Sequence, residues 1–327
     1  MLIHLLASLV VLTQLQSPPE ANPKPVYDET ANGAEQISAA LKTAKKDNRR
    51  VLVQWGANWC HWCVLLHEEM QHDNDLHFEL LYEYELVTID VGQFNKHQDL
   101  IKQYGAAITA IPYLTVLDGD GKVLVNQETD SLEMPDKSKP AHDLAKVLAF
   151  LRSYQAPHLV ADDVLEDALA QAGREDKRVF LHFGAPTSGW SHRLERWLAR
   201  PEVATILAKE FVECRIDTQR MTGGAETLTH YRGKSTGIPW FAILDQQGKA
   251  LADSNADSGN IVFPSSGPEI AHFSGMLRKA CANLSTDDIA ALERSLVAER
   301  EAEKAKPDTL EKRIQDIIKE REKKVAR

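Results

Sequence analysis

The most reactive cluster of side chains in the sequence is a pair of cysteines, Cys60 and Cys63, in the stretch GANWCHWCVLLHEEM. His61 lies between them, and His67 follows Cys63 by one helical turn. Thiolate and imidazole groups bind soft metal ions, and two neighbouring thiols can also make and break a disulfide. The spacing therefore indicates either a metal site or a site of thiol–disulfide exchange.

A metal site has less support from the rest of the sequence. Cys63 and His67 have a workable ligand spacing on one helix face, but a structural site generally needs a second ligand pair, and the sequence has no other Cys-His cluster. Val64 follows Cys63, which excludes haem attachment through a CxxCH motif. We predict no metal and no other cofactor. Copper handling through Cys60, Cys63 and His67 is kept as an alternative.

The elements around the pair favour exchange. Cys60 follows a predicted strand and stands at the predicted start of a helix, where backbone N–H groups and the helix dipole favour thiolate. Cys63 lies one turn deeper, close enough to bond but shielded from solvent. This asymmetry provides one attacking and one resolving sulfur, and we predict that Cys60 and Cys63 are the catalytic pair.

An internal repeat organises most of the chain. ISAALKTAKKDNRRVLVQWGANW from Ile37 matches LEDALAQAGREDKRVFLHFGAPT from Leu165, and YGAAITAIPYLTVLDGDGKVL from Tyr104 matches YRGKSTGIPWFAILDQQGKAL from Tyr231. Each copy is predicted to contain helix, strand, helix, strand, helix, a two-stranded hairpin and a closing helix. Interleaved strands and helices, with a hairpin added, predict a mixed sheet covered by helices.

The stretch VLVQWGANWCHWC, followed by AIPYLTVLDGDGKVL, resembles the thioredoxin superfamily. The two copies resemble tandem thioredoxin-like domains of an exported bacterial protein, over approximately residues 30 to 284. The resemblance implies an α/β fold with a first domain at residues 28–156 and a second at 157–284. It also implies a cis bond between Ile111 and Pro112, facing the cysteines, and pairing of this loop with the backbone of the substrate.

The site departs from the thioredoxin pattern at two positions. His-Trp replaces the usual Gly-Pro between the cysteines, and a protonated His61 would stabilise the thiolate and make the disulfide a better oxidant. Gln54 stands where thioredoxins carry a buried acid, and it cannot act as a general base, which favours oxidase, isomerase or slow reductase roles. The predicted substrate-binding residues lie beside or between the cysteines or in the proline loop: Trp59, His61, Trp62, Ile111 and Pro112.

Serines replace both cysteines in the second copy, at Ser188 and Ser191, while Trp190 matches Trp62 and the Ile238-Pro239 pair is retained. Serine lacks the acidity and the redox chemistry of a thiol, so this copy cannot exchange disulfides. The retained proline and aromatic side chain leave two interpretations open. The second domain is either a groove that binds peptide without turnover or a scaffold.

Both ends of the chain differ from the repeats. Residues 1–22 contain an apolar run with the length of a secretory h-region, which predicts a signal peptide or an uncleaved anchor and an exported protein, most simply of the bacterial periplasm. Residues 285–327 form a charged tail with a capping-box pattern at Ser285 and Asp288. We predict two amphipathic helices that pack on the second copy or on a partner, with a partly frayed end as the alternative.

Charge and cysteine content restrict the partners. A net charge of −10 disfavours nucleic acid and anionic membrane surfaces, so membrane contact is expected only through an uncleaved N-terminal segment. The predicted partners are protein thiols or disulfides and a redox partner that the sequence does not identify. Cys214 and Cys281 are interpreted as buried free thiols, with a bond between them as the alternative. The competing hypothesis for the whole chain is a non-catalytic binding or adaptor protein whose Cys60–Cys63 disulfide is structural.

Overall fold

A computed structural model of the chain describes residues 25–136, 138 and 141–305. The predicted signal peptide or anchor and the second predicted tail helix lie outside these residues. The chain divides into two compact units between Gln155 and Ala156. Within the described residues, no helix has both the length and the apolar character that a membrane span requires.

The first unit has a mixed four-stranded sheet in the order β2-β1-β3-β4, in which β1 is parallel to β2 and antiparallel to β3. Strands β3 and β4 form the predicted hairpin. Its described elements are α1 (Gly33–Lys46), β1 (Arg50–Gly56), α2 (His61–His72), α3 (Asn74–Glu83), β2 (Tyr84–Asp90), α4 (Gln98–Gln103), β3 (Tyr113–Leu117), β4 (Val123–Glu128), a 3-10 helix (Asp130–Leu132) and α5 (Leu144–Ser153).

The second unit repeats this sheet in the order β6-β5-β7-β8 and adds a short antiparallel pair, β9 and β10. Its described elements are α6 (Ala161–Glu175), β5 (Arg178–Gly184), α7 (Gly189–Leu198), α8 (Pro201–Leu207), β6 (Phe211–Asp217), α9 (Gly224–Arg232), β7 (Trp240–Leu244), β8 (Ala250–Asp253), β9 (Asn255–Ala256), β10 (Gly259–Asn260), α10 (Gly267–Ala280) and α11 (Thr286–Ala305). The predicted fold of two tandem α/β domains with mixed sheets is confirmed.

Strand β1 is the centre of the first unit, and both of its faces are buried. Successive side chains of a strand point to opposite faces, so Val53 and Trp55 join the cluster that contains Ile37 of α1. Leu52 joins the opposite cluster with Leu66 of α2. This two-sided burial fixes the end of β1, from which the chain enters the cysteine pair.

The single helix predicted between the first two strands of each copy is two helices in the structure. In the first unit, Asp73 ends α2 in an extended conformation, and its side chain accepts from the Leu76 N–H to cap α3. In the second unit, Pro201 occupies the first turn of α8, where its missing N–H and fixed φ suit a helix start. A capping residue in the first unit and a proline in the second therefore each divide a segment that helical periodicity alone predicts as one helix.

The first half of the charged tail is helix α11, and it packs on the second unit. Ser285 and Asp288 cap it reciprocally, since the Asp288 N–H donates to Ser285 Oγ at 3.1 Å and the Ser285 N–H donates to Asp288 Oδ2 at 3.1 Å. Ile289, Leu292 and Leu296 are buried in the core cluster of the second unit. The described part of the tail is therefore folded rather than frayed.

We predict that Leu292→Ala destabilises the second unit by about 2–5 kcal/mol, because it removes a side chain that is 1% exposed and leaves a cavity. Val297→Ala on the same helix is the matched control, since Val297 is 38% exposed and its truncation costs less than about 0.5 kcal/mol. Hydrogen exchange of β5 to β7 in the full chain measures both effects. Equal protection in the two variants would contradict the packing of α11.

Candidate active site

Cys60 is the N-cap residue of α2, and its position explains how a sulfur reaches the end of this helix. Its backbone is extended, and Sγ accepts from the Cys63 N–H at 3.2 Å. Cys60 and Cys63 form a disulfide whose Cα atoms lie 5.3 Å apart. Cys63 is fully buried, whereas Cys60 is 7% exposed, so the pair has one outer and one inner sulfur.

The loop before β3 lies against the outer sulfur. Strands β1 and β3 are antiparallel with Trp55 opposite Tyr113, so the end of β1 and the start of β3 meet at one edge of the sheet. The Ile111–Pro112 peptide bond, directly before β3, is cis. The Ile111 carbonyl oxygen lies 3.6 Å from Cys60 Sγ. The sheet register therefore brings together the cysteines and the proline loop, which are far apart in the sequence.

Aromatic side chains surround the outer sulfur unequally. Trp59 is 52% exposed, and its Nε1–H donates to the Gly92 carbonyl at 2.9 Å. Trp62 is half-buried, with its ring edge-on to the buried His142 at 5.2 Å, whereas His61 is exposed. Trp59 and His61 are thus open to a partner, while Trp62 also covers the start of α2.

Phe94 belongs to the same surface, and the sequence did not indicate it. It is 41% exposed in the loop after β2, and its ring meets that of Trp59 edge-on at 6.3 Å. Its φ is +59°, a region that a bulky residue rarely adopts. A lone aromatic residue in a polar loop carries no local signal, because the contact with Trp59 depends on the meeting of two loops.

Beneath the disulfide, Gln54 and Tyr27 occupy the buried interior. Gln54 Nε2 donates to the Tyr27 hydroxyl oxygen at 2.7 Å and to the Cys63 carbonyl at 2.9 Å. Tyr27 is fully buried and packs with both cysteines. Burial raises the pKa of Tyr27 well above its ordinary value, so its hydroxyl stays protonated. The sequence pattern indicates Gln54 but not Tyr27.

The histidines near the pair differ in their surroundings. His67 lies further along α2, half-buried, and desolvation lowers its pKa. His142 is bound to Glu69, with 2.6 Å between Nδ1 and Oε2. Among the described residues, no group of three or more His, Cys, Asp or Glu side chains is placed to hold a metal. The Cys60, Cys63 and His67 set proposed for copper does not form such a group.

The second unit keeps the geometry of the site with serine in place of cysteine. Ser188 caps α7, and its Oγ accepts from the Ser191 N–H at 3.2 Å. The Ile238–Pro239 bond is also cis. Trp190 is 46% exposed, and the Arg193 guanidinium lies 5.4 Å from the centre of its ring. The helix cap and the proline loop therefore form without sulfur.

The two remaining cysteines are free. Cys214 is buried in β6 and Cys281 is half-buried after α10. Burial raises the pKa of each thiol to about 12, with nearby Glu213 and Glu210 adding to the shift. Neither thiol is therefore expected to take part in exchange at neutral pH.

Residues 37–129 match a family model described as a thioredoxin-like domain, and residues 161–246 match a second model described as thioredoxin-like. Together the two models span more than half of the chain. The chain belongs to the thioredoxin-like family. Its two thioredoxin-like domains lie in tandem, one in each compact unit. None of the curated proteins compared with the chain matches it.

Three solved structures that resemble parts of this thioredoxin-like chain each cover less than half of it. A disulphide isomerase from Xylella fastidiosa Temecula1 is 30% identical, with a TM-score of 0.35, over 40% of this chain and 97% of its own. The C-terminal domain of DsbD from Neisseria meningitidis is 20% identical, with a TM-score of 0.27, over 38% and 96%. A thioredoxin from Thermus thermophilus is 18% identical, with a TM-score of 0.27, over 36% and 81%.

We predict that alkylation of the reduced, folded protein at pH 8 modifies Cys60 and spares Cys214 and Cys281. A thiol with a pKa of about 12 is almost entirely protonated at pH 8, and only the thiolate reacts. Mass spectrometry of iodoacetamide-treated protein identifies the modified residue. Modification of Cys214 as fast as Cys60 would contradict the assignment, and full reaction of all four cysteines in denaturant is the control.

Proposed function

We propose that this thioredoxin-like protein is a thiol–disulfide oxidoreductase that exchanges disulfides with protein substrates. The observation that carries this proposal is the position of Cys60 at the helix start, bonded to the inner Cys63 and facing the Ile111 carbonyl. A sulfur at a helix N-terminus is favoured as thiolate and leaves or attacks readily. The buried inner sulfur is accessible to Cys60 but not to bulky reagents.

The exchange takes place in two steps. The Cys60 thiolate attacks one sulfur of a substrate disulfide, so that a mixed disulfide forms and the second substrate sulfur is released as thiolate. Cys63 then attacks Cys60, so that the Cys60–Cys63 bond forms and the substrate leaves as a dithiol. In the reverse direction a substrate thiolate attacks Cys60, and the same bonds form and break in the opposite order. A second redox protein restores the starting state.

The surface around Cys60 suits a polypeptide substrate. Trp59 and Phe94 expose apolar rings, and the backbone of Ile111 lies beside the outer sulfur. An extended segment can add main-chain hydrogen bonds along such a loop, and its side chains can contact the rings. We infer that the substrate is a protein segment with apolar side chains next to its cysteine. His61 and Trp62 complete this surface.

Gln54 favours oxidation or isomerisation over fast reduction. It occupies the buried position beneath Cys63, where it donates hydrogen bonds but cannot accept the proton that the inner thiol must lose. Reduction of substrates depends on ionisation of this inner thiol. The absence of a base therefore slows the resolving step of substrate reduction, in which Cys63 must act as a thiolate.

We further propose that the protein is exported, most simply to a bacterial periplasm, and that the second domain binds polypeptide without turnover. The apolar run in residues 1–22 supports export. The exposed Trp190, with the Arg193 guanidinium over its ring at the start of α7, supports a binding role. Fractionation of a bacterial host that expresses the full chain tests export, and recovery in the cytoplasm alone would contradict it.

We predict that the Cys60–Cys63 pair has a reduction potential above about −300 mV and that Cys63→Ser traps substrates as mixed disulfides. Without the inner sulfur the second step is lost, so covalent complexes with Cys60 accumulate. A redox titration and diagonal electrophoresis of host extract measure the two effects. Cys60→Ser in the same background is the control. A far lower potential with no trapped protein would favour the adaptor hypothesis.

We predict that Trp59→Ala and Phe94→Ser each raise the KM for a peptide disulfide about tenfold while the rate with a small aliphatic disulfide stays within twofold. Loss of one buried aromatic contact costs on the order of 1–2 kcal/mol, and a small disulfide does not reach these rings. Phe78→Ser is the matched control, because Phe78 is 49% exposed on α3 of the same domain. Equal effects of Phe78→Ser and Phe94→Ser would contradict the proposed surface.

A further inference from the structure

Tyr27 precedes the first helix, yet its side chain lies beneath the disulfide. Its backbone is held by Asn58, two residues before Cys60, since the Tyr27 N–H donates to Asn58 Oδ1 at 3.0 Å and Asn58 Nδ2 donates to the Tyr27 carbonyl at 2.8 Å. Thr88 of β2 donates to the carbonyl of the preceding Val26 at 2.8 Å. These three bonds fix the phenol ring under the cysteine pair.

The phenol oxygen borders the inner cysteine. A methyl group added to Gly56 would lie 2.3 Å from the Tyr27 hydroxyl oxygen and 3.0 Å from Cys63 Cβ, so both atoms border the same space at the end of β1. No side chain larger than hydrogen fits there without displacing one of them. Gly56 thus permits the close approach of Tyr27 to the site.

The hydroxyl hydrogen of Tyr27 has no acceptor among the described residues while the disulfide is present. The hydroxyl oxygen accepts from Gln54 Nε2, which also donates to the Cys63 carbonyl. The reversed amide would place the Gln54 oxygen against the Cys63 oxygen, two acceptors in contact, which fixes the amide as donor. The Tyr27 O–H must therefore point elsewhere in a buried site, where an unpaired donor is unfavourable.

We propose that the Tyr27 hydroxyl donates a hydrogen bond to the Cys63 sulfur once the disulfide is reduced, and so stabilises the thiolate that resolves the mixed disulfide. This inference rests on the proposed exchange function. Burial keeps the phenol protonated, so Tyr27 acts as a hydrogen-bond donor and not as a base. When Cys63 attacks Cys60, the Cys60–Cys63 bond forms, the Cys60–substrate bond breaks, and the departing substrate thiolate takes up the proton that Cys63 has lost.

The test follows the two steps separately with a chromogenic aromatic disulfide. The reduced protein, carrying Cys214→Ala and Cys281→Ala, releases one coloured thiolate when Cys60 is captured and a second when Cys63 resolves the adduct. We expect Tyr27→Phe to slow the second release about tenfold at neutral pH and to leave the first release within twofold, since the variant loses a hydrogen bond that only the Cys63 thiolate receives. The apparent pKa of the second phase is expected to rise in parallel.

Tyr84→Phe is the matched control, because Tyr84 is buried in the same unit and its hydroxyl donates to the Leu151 carbonyl, so both releases should keep their rates. If Tyr27→Phe lowers the thermal midpoint too far for kinetics, Gln54→Met is used, which removes the donor that orients the phenol and should slow only the second release. An unchanged second release in the variant used would overturn the inference. Absence of a second release in the parent protein would instead overturn the proposed exchange function.

Discussion

The hydrogen bond from the Cys63 N–H to the Cys60 sulfur is the interaction on which the rest of the structure's chemistry depends. It places the outer sulfur at the start of α2, where unpaired N–H groups and the helix dipole favour negative charge. Serine is among the preferred residues at such a helix start, and cysteine is not. The sulfur at residue 60 therefore contributes reactivity that capping alone does not require.

The second domain shows that the helix cap and the proline loop form without the reactive sulfurs. Ser188 makes the same capping bond at the same 3.2 Å, and the proline loop adopts the same cis bond, with no sulfur present. The interior differs as well, because His182 occupies the position equivalent to Gln54 and binds Glu213 at 2.9 Å. The reactive features of the first domain are thus the two sulfurs together with Tyr27 and Gln54 beneath them.

Much of the fold and the core of the site followed from local patterns in the sequence. The helix start at Cys60, the buried strand β1 and the hairpin turns are short-range features of the sequence. The internal repeat adds support, because the same order of helices and strands is predicted from both copies. The break between α2 and α3 at Asp73 was not predicted, because the apolar spacing continues across it. The roles of Tyr27 and Phe94 were not predicted, because their contacts join segments separated by about thirty residues, and a single sequence carries no signal for such contacts.

The most direct test of this account is the ionisation of the outer sulfur. Thiolate absorbance of reduced Cys63→Ser protein, in which Cys214 and Cys281 are replaced by alanine, reports Cys60 alone as the pH is changed. We predict a pKa for Cys60 well below the value of about 8.5 that free cysteine shows. A pKa at or above that value would mean that the helix start does not stabilise the thiolate, and the exchange function proposed here would be contradicted.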